Sequence, residues 1–219
     1  MDPETERQLV ESAKTDADAF SQLYRHYFPQ IYNYTVRRLA DLGAAQEVTS
    51  DTFFEAMYDI RKFQWRGVPF SAWLYRIATN NINSYLRKKS NSFLSLNILF
   101  GDREYKVEAS LDIEEEIIRA EEELQRCQDF LFIQKQILKL PISYQEVLTL
   151  RYFEDKKILE IGQILNKKEN TIKSLLLRAL EKLRSSYSTA NRNQASLSSV
   201  VQPFSAKDAL YAEDPNYEK

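Results

Sequence analysis

Apolar positions in the first ninety residues recur with helical spacing. Between Asp16 and Leu39 the large apolar side chains lie three or four residues apart, so one helix face carries them all. Pro29 lies within this stretch and is expected to kink the helix. The Leu42-Gly43 pair predicts the end of this helix, because glycine readily takes the left-handed conformation of a helix end. The apolar positions of this face are Phe20, Leu23, Tyr24, Tyr27, Ile31 and Tyr34.

Two more helices are predicted before residue 90. A second apolar stripe starts at Ala45 and includes Met57, and Gly67 after it predicts a loop. A third helix is expected to begin at about Pro69 and to end in Arg87-Lys88-Lys89. Cations at a helix C-terminus suit the helix dipole, and they also suit a phosphate backbone.

The middle of the chain separates two helical parts. Residues 90–110 have mixed polarity and no sustained period, which is typical of a linker, whereas residues 111–139 are periodic and acidic and predict a helix. Pro141 interrupts that helix. Three short helices are then expected, at Tyr144–Tyr152, Ile158–Leu165 and Asn170–Ser185.

The last two of these helices form the sharpest local pattern. Asn166 lies between them, where a tight turn needs a left-handed residue. The second helix repeats an apolar face from Ile172 and carries a polar, basic face opposite to it. This pattern favours a helix-turn-helix with its second helix in the major groove, and an ordinary helical hairpin is the alternative. The candidate DNA contacts are Lys167, Lys168, Asn170, Thr171, Lys173, Ser174, Arg178 and Lys182.

Composition narrows the class of protein. The 219 residues are 43% apolar and 28% charged, which is enough for a core, and only 4 Gly and 6 Pro make helices the expected fold class. A single cysteine, Cys127, argues against disulfides and a cysteine zinc site, and a single His26 argues against a histidine metal centre or catalytic triad. No apolar run reaches about 18 residues. We therefore expect a cytoplasmic, non-enzymatic protein without metal, cofactor or membrane span.

The charge distribution predicts two surfaces for a polyanion. The net charge is only −2, but acidic and basic segments alternate along the chain. Residues 60–93 hold 7 Lys or Arg and no Asp or Glu, and residues 134–184 hold 11 against 6. An acidic segment at 94–133 separates these two basic blocks. The alternative interpretation of each block is an ordinary solvated helix face.

Taken together, these motifs resemble the sigma-70 superfamily of bacterial RNA polymerase sigma factors, specifically the small extracytoplasmic-function (ECF) group. Residues 140–179 resemble region 4 of that family, from Leu140-Pro141 to Arg178-Ala179. The run from Phe70 to Asn80 resembles the most recognisable part of region 2. The resemblance implies an all-α protein of two small domains. Its expected parts are region 2 at 1–90, a flexible linker with an acidic helix at 91–133, region 4 at 134–186 and a mobile tail at 187–219.

The resemblance also implies partners. Region 4 would bind the −35 promoter element as duplex, and region 2 would bind the clamp of core RNA polymerase and capture the −10 element as a single strand. Core polymerase (clamp and flap surfaces), promoter DNA and an anti-sigma factor are the partners to expect. The clamp-binding candidates are Glu47, Ser50, Asp51 and Glu55.

The loop after residue 60 fits single-strand capture, because it interleaves cations with aromatic rings. The cations would follow the backbone and the rings would stack on bases, while Arg76 and Asn80 of the adjoining helix could read an extruded base. Phe70 and Trp73 are expected in the core, and a core position for Phe63 or Trp65 is the alternative. The single-strand candidates are Arg61, Lys62, Phe63, Trp65, Arg66, Arg76, Asn80, Arg87 and Lys88.

Several residues depart from the family pattern. Ala44 and Gln46 stand where the family usually has acidic residues, and Ser50 stands where it has a glutamine. The smaller number of carboxylates is expected to weaken clamp docking. Ser84 replaces the usual aspartate. Leu175 and Leu177 replace an arginine and often a histidine of the recognition helix, so we expect weak, salt-dependent DNA binding by the second domain and contact of both leucines with a protein partner.

Three alternatives to a sigma factor remain at this stage. The chain could be a DNA-binding regulator that never joins polymerase, or a scaffold that kept the fold and lost promoter activity. An enzyme is the remote option, because Glu114–Glu116 and Glu121–Glu123 repeat at i, i+7 without histidines for a di-iron site.

Overall fold

The computed structural model describes residues 1–65, 68–91 and 130–191. Within those ranges the chain is helical and contains no strand, which confirms the all-α prediction. Residues 130–138 are helical as well. The named helices are α1 (Pro3–Ala13), α2 (Ala17–Leu39), α3 (Leu42–Asp59), a 3₁₀ turn (Ile60–Lys62), α4 (Phe70–Asn91), α5 (Ile142–Tyr152), α6 (Ile158–Leu165) and α7 (Glu169–Asn191).

The chain divides into two compact units. One combines Met1–Ser95 with Glu146–Leu175, and the other combines Leu96–Gln145 with Leu176–Lys219. Most of the predicted linker, the glutamate pairs at 114–123 and the predicted tail beyond residue 191 lie outside the described residues.

The core of the first unit lies between α2, α3 and α4, which pack on one another, and α1 covers α2. Leu23, Ile31 and Ile82 are at most 1% exposed there. The predicted apolar face of α2 is buried apart from Tyr24, and α2 continues as a helix through Pro29. Burying this apolar surface is the main term that stabilises the unit.

Aspartates define where the first helices begin. Asp16 caps α2, and Asp41 caps α3 through a 3.0 Å hydrogen bond from the Ala44 amide to Oδ1. The predicted stop at Leu42-Gly43 is wrong, since both residues belong to the first turn of α3. Ala40 takes the left-handed conformation instead, with φ 50°, and closes α2. The cap at Asp41 restarts the helix immediately, so glycine is not needed for the bend.

Helix α1 was not predicted from the sequence. Its buried positions are Val10 and Ala13, which are too few to produce a clear apolar period. Two contacts hold this helix: the Tyr27 hydroxyl donates to the Glu6 carboxylate, and Arg61 Nε donates to the Lys14 carbonyl at 3.0 Å.

The short helices α5 and α6 and the start of α7 have the predicted bounds to within a few residues. Asn166 ends α6 in the left-handed conformation, with φ 53°, which confirms the prediction for the turn. The absence of a side chain at Gly162 allows this tight turn, because a Cβ at that position would lie only 2.8 Å from the Lys167 carbonyl oxygen. Ile161, Ile164 and Ile172 are at most 1% exposed. Helix α7 runs on to Asn191, beyond the predicted end at Ser185. A tight turn between α6 and α7 is the geometry of a helix-turn-helix.

Candidate nucleic-acid and polymerase interface

The predicted duplex-binding residues all lie on the surface. The turn and the first two turns of α7 present polar and basic side chains, and Ser174 Oγ donates to the Asn170 carbonyl at 2.8 Å. Such an exposed helix start can place side chains on base edges, with cations on the flanking phosphates. The exposed residues are Lys167, Lys168, Asn170, Thr171, Lys173, Ser174, Arg178 and Lys182.

The two leucines of the recognition helix differ in exposure. Leu177 is 38% exposed, as expected from its position off the apolar stripe, whereas Leu175 is half-buried. Leu159 of α6 is 55% exposed.

The aromatic rings of the predicted strand-capture loop pack together. Phe63 is 6% exposed, and its ring centroid lies 5.1–5.4 Å from those of Trp65, Phe70 and Trp73. Phe70 is buried and Trp73 is half-buried, which is close to the predicted core position. The Phe63 ring therefore does not reach the surface in this structure, and the alternative core position describes it better. Trp65 is half-buried.

The cations around this cluster remain exposed. Lys62 forms a 2.5 Å ion pair with Asp59, and that hydrogen bond raises the pKa of Lys62, so the side chain stays charged. Arg61, Arg87 and Lys88 are exposed too. Arg66 lies outside the described residues.

Arg76 and Asn80 occupy neighbouring turns of α4 but have different surroundings. Asn80 is exposed, whereas Arg76 is half-buried and its Nη2 donates to the main-chain carbonyl of Gln163 in α6. The Nε of Arg76 is buried and has no hydrogen-bond partner among the described residues. The structure therefore leaves only one of these two candidate base readers open to a strand.

A carboxylate that lies between α5 and α6 connects this segment to α2 and α4. Glu154, in the turn after α5, accepts a 2.6 Å ion-paired hydrogen bond from Arg37 and a 2.7 Å hydrogen bond from the Tyr75 hydroxyl. The Lys156 ammonium lies 4.7 Å from the centroid of the Tyr75 ring. Burial raises the pKa of Glu154, although Tyr75 and Arg37 oppose that shift, and burial also raises the pKa of Tyr75.

A second contact extends this interface. Asn83 Nδ2 of α4 donates at 2.8 Å to the carboxylate of Glu146 in α5, and Glu146 is 7% exposed. Glu146, Glu154 and Arg37 were not predicted from the sequence, because no motif marks a contact between residues so distant along the chain.

The predicted clamp-binding residues share the outer face of α3. Glu47, Ser50, Asp51 and Glu55 are exposed, and Asn81 Nδ2 of α4 donates to Glu55 at 3.2 Å. A cleft of about 430 Å³ opens between α3 and α4. Its lining joins carboxylates of α3 to cations of α4 and comprises Glu47, Val48, Asp51, Asn81, Ser84, Tyr85, Lys88 and Lys89.

Apolar side chains extend this acidic face toward the end of α3. Phe54 is 69% exposed, Met57 52% and Tyr58 75%. The prediction that Met57 belongs to the buried stripe is wrong, because Phe53 and Ala56 fill the core side of that turn. We call Phe54, Met57 and Tyr58 the apolar patch of α3. Large exposed apolar side chains grouped in this way are typical of protein-binding surfaces.

Comparisons with known proteins identify both halves of the chain. The family model for sigma-70 region 2 matches residues 23–92, and the model for sigma-70 region 4 matches residues 133–183. The ECF RNA polymerase sigma factor SigW of Bacillus subtilis is 30% identical over 188 residues, which cover 84% of this chain and 97% of that protein. RNA polymerase sigma factor YlaC of the same species is 29% identical and covers 76% of this chain and 91% of that protein.

Solved structures support the fold. The structure of CnrH in complex with the cytosolic domain of CnrY matches with a TM-score of 0.59 at 20% identity, covering 84% of this chain and 97% of that one. The sigma factor RpoE in complex with the anti-sigma factor NepR from Bartonella quintana matches with a TM-score of 0.54 at 20% identity, covering 76% and 94%. No helix in the described ranges is long and apolar enough to cross a membrane. On these matches, the chain belongs to the ECF family of RNA polymerase sigma factors.

Proposed function

We propose that this sigma factor divides promoter recognition between its two family regions. Residues 134–186 act as region 4 and bind the −35 element as duplex, and residues 1–90 act as region 2, which binds the polymerase clamp and captures the −10 strand. Residues 91–133 link the regions, and the tail from 187 is an extension. The observation that carries this division is the open recognition face after the left-handed Asn166.

The duplex-binding half of the proposal rests on side-chain type and exposure. Thr171, Lys173 and Ser174 lie at the exposed start of α7, where a helix in the major groove reaches base edges. Arg178 and Lys182 lie further along and hold phosphates. Because Leu175 and Leu177 supply no cation, this binding is weak and depends strongly on salt.

The strand-capturing half rests on the cations around the loop. Arg61, Lys62, Arg87 and Lys88 are exposed and follow the strand backbone, and Asn80 is open to a base. Trp65 and Phe63 contribute to stacking only where their packed cluster opens.

The clamp-binding face combines two kinds of contact. Glu47, Ser50, Asp51 and Glu55 steer α3 toward a basic surface, and the apolar patch of α3 supplies the area that is buried on docking. The family departures reduce the number of carboxylates, so the apolar patch carries more of the affinity here.

The remaining features follow from this role. The sigma factor supplies no catalytic residue, metal or cofactor of its own, because the polymerase performs the chemistry, and it acts in the cytoplasm with that enzyme. The two structural neighbours were solved in complexes, one of them with an anti-sigma factor. We expect an anti-sigma factor for this chain too, with Leu175 and Leu177 among its contacts.

Reconstituted transcription tests the proposal. Core polymerase with and without the full chain is given a genomic promoter library, and transcripts are mapped by sequencing. The expected result is initiation at a defined set of sites only when the chain is present. Lys173→Ala is expected to weaken initiation and to reduce the salt slope of duplex binding by about 1, whereas Lys14→Ala, at the residue that follows α1, leaves both unchanged.

Two outcomes would replace the proposal. Failure of the chain to bind core polymerase in a pull-down, with retained duplex binding, would favour a DNA-binding regulator. Binding of polymerase without initiation at any site of the library would favour a scaffold that kept the fold.

A further inference from the structure

A thioether lies within the apolar patch of α3. The Met57 side chain is 52% exposed, and its neighbours in the patch, Phe54 and Tyr58, are 69% and 75% exposed. Core packing does not use Met57, because Phe53 and Ala56 fill the buried side of the same turn. The sulfur of Met57 is therefore open to a small reagent from solvent.

An exposed thioether reacts with peroxides without help from neighbouring residues. A sulfur lone pair attacks one oxygen of hydrogen peroxide and the O–O bond breaks. The departing hydroxide takes the remaining hydroxyl proton and leaves as water, so the sulfur is oxidised to the sulfoxide and the peroxide is reduced. Two thiols return the sulfoxide to the thioether in the reaction of methionine sulfoxide reductases, with a disulfide and water as the other products.

Oxidation at Met57 changes the chemistry of the patch more than its size. A sulfoxide oxygen is a hydrogen-bond acceptor, and burying it against an apolar partner without a donor costs free energy. Loss of a flexible apolar side chain also disrupts apolar interfaces. Because Met57 is exposed, the added oxygen stays in water while the chain is free, so the cost arises only on docking.

Met1 provides a comparison within the same chain. The sequence contains two methionines, and Met1 is 48% exposed against 52% for Met57, so solvent reaches both sulfur atoms to a similar extent. Met1 precedes α1 and is not part of the surface proposed to bind the clamp. An effect of oxidation that depends on Met57 and not on Met1 is therefore an effect of position.

We propose that Met57 is a reversible oxidation site at which peroxide weakens docking of this sigma factor on core polymerase. The site rests on the docking role proposed above for the apolar patch of α3. Docking buries the thioether, so the holoenzyme protects Met57 and the free chain is the form that reacts. Peroxide lowers the share of the chain that can join polymerase, and reduction of the sulfoxide restores it.

A peroxide footprint tests the position of Met57 separately from its effect. The free full-length chain and the assembled holoenzyme are treated briefly with hydrogen peroxide, catalase removes the excess, and mass spectrometry measures oxidation of the peptides that contain Met1 and Met57. The free chain is expected to be oxidised at the two positions at rates within about threefold of each other. In the holoenzyme, oxidation of Met57 is expected to slow about tenfold or more relative to Met1, because docking excludes solvent from the patch.

Binding to untreated core polymerase measures the consequence. All chains carry Cys127→Ser, so that thiol oxidation does not contribute, and the peroxide is removed before polymerase is added. The oxidised chain is expected to bind about fivefold more weakly than the reduced chain. Methionine sulfoxide reductases A and B with a thiol reductant are expected to restore the affinity. Met57→Leu keeps an apolar side chain and retains Met1, and its affinity is expected to be the same before and after peroxide.

Met57→Gln supplies a permanent polar side chain at the same position. Its amide oxygen replaces the sulfoxide oxygen, so this variant is expected to bind polymerase as weakly as the oxidised chain and to be insensitive to peroxide. Denaturant unfolding is expected to give the same free energy of unfolding for the reduced, oxidised and substituted chains, since the side chain is exposed. A loss of stability that accompanies the loss of binding would assign the effect to unfolding and reject the site.

Two further results would overturn the proposal. Equal affinities of the reduced and oxidised chains, with full conversion of Met57 shown by mass spectrometry, would show that the sulfoxide does not control docking. An equal loss of affinity in oxidised Met57→Leu would assign the effect to another residue.

The footprint distinguishes failure of this proposal from failure of the docking role on which it rests. Oxidation of Met57 as fast in the holoenzyme as in the free chain would reject the proposed docking face itself. A protected Met57 together with unchanged affinity of the oxidised chain would keep the docking face and reject only the oxidation site.

Discussion

The Tyr75 hydroxyl donates a 2.7 Å hydrogen bond to Oε2 of Glu154, a residue 79 positions further along the chain. Tyr75 belongs to the most recognisable region 2 run, and Glu154 belongs to the turn before the helix-turn-helix. This one bond joins the element proposed to bind a single strand to the element proposed to bind duplex.

Tyr75→Phe is expected to destabilise the first unit by about 2 kcal/mol, because a buried carboxylate loses a hydroxyl donor while the ring still fits. Chemical denaturation measures the change. Tyr58→Phe is the control and is expected to be neutral, since Tyr58 is 75% exposed. Equal effects of the two substitutions would show that the Tyr75 bond contributes nothing.

Acidification is expected to favour the folded contact of Glu154 with Arg37 and Tyr75. Burial raises the pKa of Glu154 above its ordinary value of 4.5, so the folded chain binds a proton at Glu154 more tightly than the unfolded chain does. The groups that face Glu154 are Arg37, Tyr75 and Lys156. The contribution of Glu154 to the free energy of unfolding is therefore expected to rise as the pH falls toward 4.5 and to be lost as the pH rises through the raised pKa.

Chemical denaturation of the wild-type chain and of Glu154→Gln between neutral pH and pH 4.5 measures this dependence. The substitution removes the titrating group. The difference in free energy of unfolding between the two chains is therefore expected to shift in favour of the wild-type chain as the pH falls. The same pH dependence in both chains would assign the effect to another group.

The two described helical glycines are expected to respond oppositely to alanine. Gly162→Ala forces a Cβ to within 2.8 Å of the Lys167 carbonyl oxygen, so the turn must open and the unit is expected to lose about 1–3 kcal/mol. At Gly43 the nearest atom is Asp41 Oδ1 at 3.6 Å, which is ordinary contact. Gly43→Ala is therefore expected to gain up to about 1 kcal/mol from helix propensity.

Thermal unfolding and duplex binding distinguish these two variants. Gly162→Ala should lower both the melting temperature and the duplex affinity, whereas Gly43→Ala should raise the first and leave the second unchanged. A Gly162→Ala protein with wild-type stability would mean that the turn adjusts freely.

The apolar patch of α3 is expected to dominate docking on core polymerase. Phe54→Ala together with Tyr58→Ala should weaken polymerase binding by about tenfold or more, because aromatic anchors carry much of an interface's energy. Both side chains are exposed, so the stability should not change. Leu159→Ala on α6 removes an exposed apolar side chain outside α3 and serves as the control. Equal affinities for all variants, measured by titration of labelled core enzyme, would place the clamp contact elsewhere.

Local chemistry explains which parts of the fold could be predicted from the sequence. The left-handed turn at Asn166 and the bounds of α5 and α6 follow from side-chain period and turn propensity, which act over a few residues. The boundary at Leu42-Gly43 was wrong because the cap at Asp41 outweighed the preference of glycine for a helix end.

Contacts between residues that are distant along the chain could not be predicted from local sequence patterns. The exposure of Met57 depends on which side of α3 the other helices cover, and the period alone placed it on the wrong side. The pairing of Glu154 with Arg37 and Tyr75 depends on how α6 meets α4, for which the sequence carries no local signal. The exposure of the candidate residues on α7 could be predicted, because the polar face of a helix is expected at the surface without knowledge of its neighbours.

The hydrogen bond from Arg76 to the Gln163 carbonyl has a consequence for competing ligands. Transcripts offer unpaired bases just as a melted promoter does. While the carbonyl occupies this guanidinium, the chain offers such RNA one hydrogen-bond donor fewer.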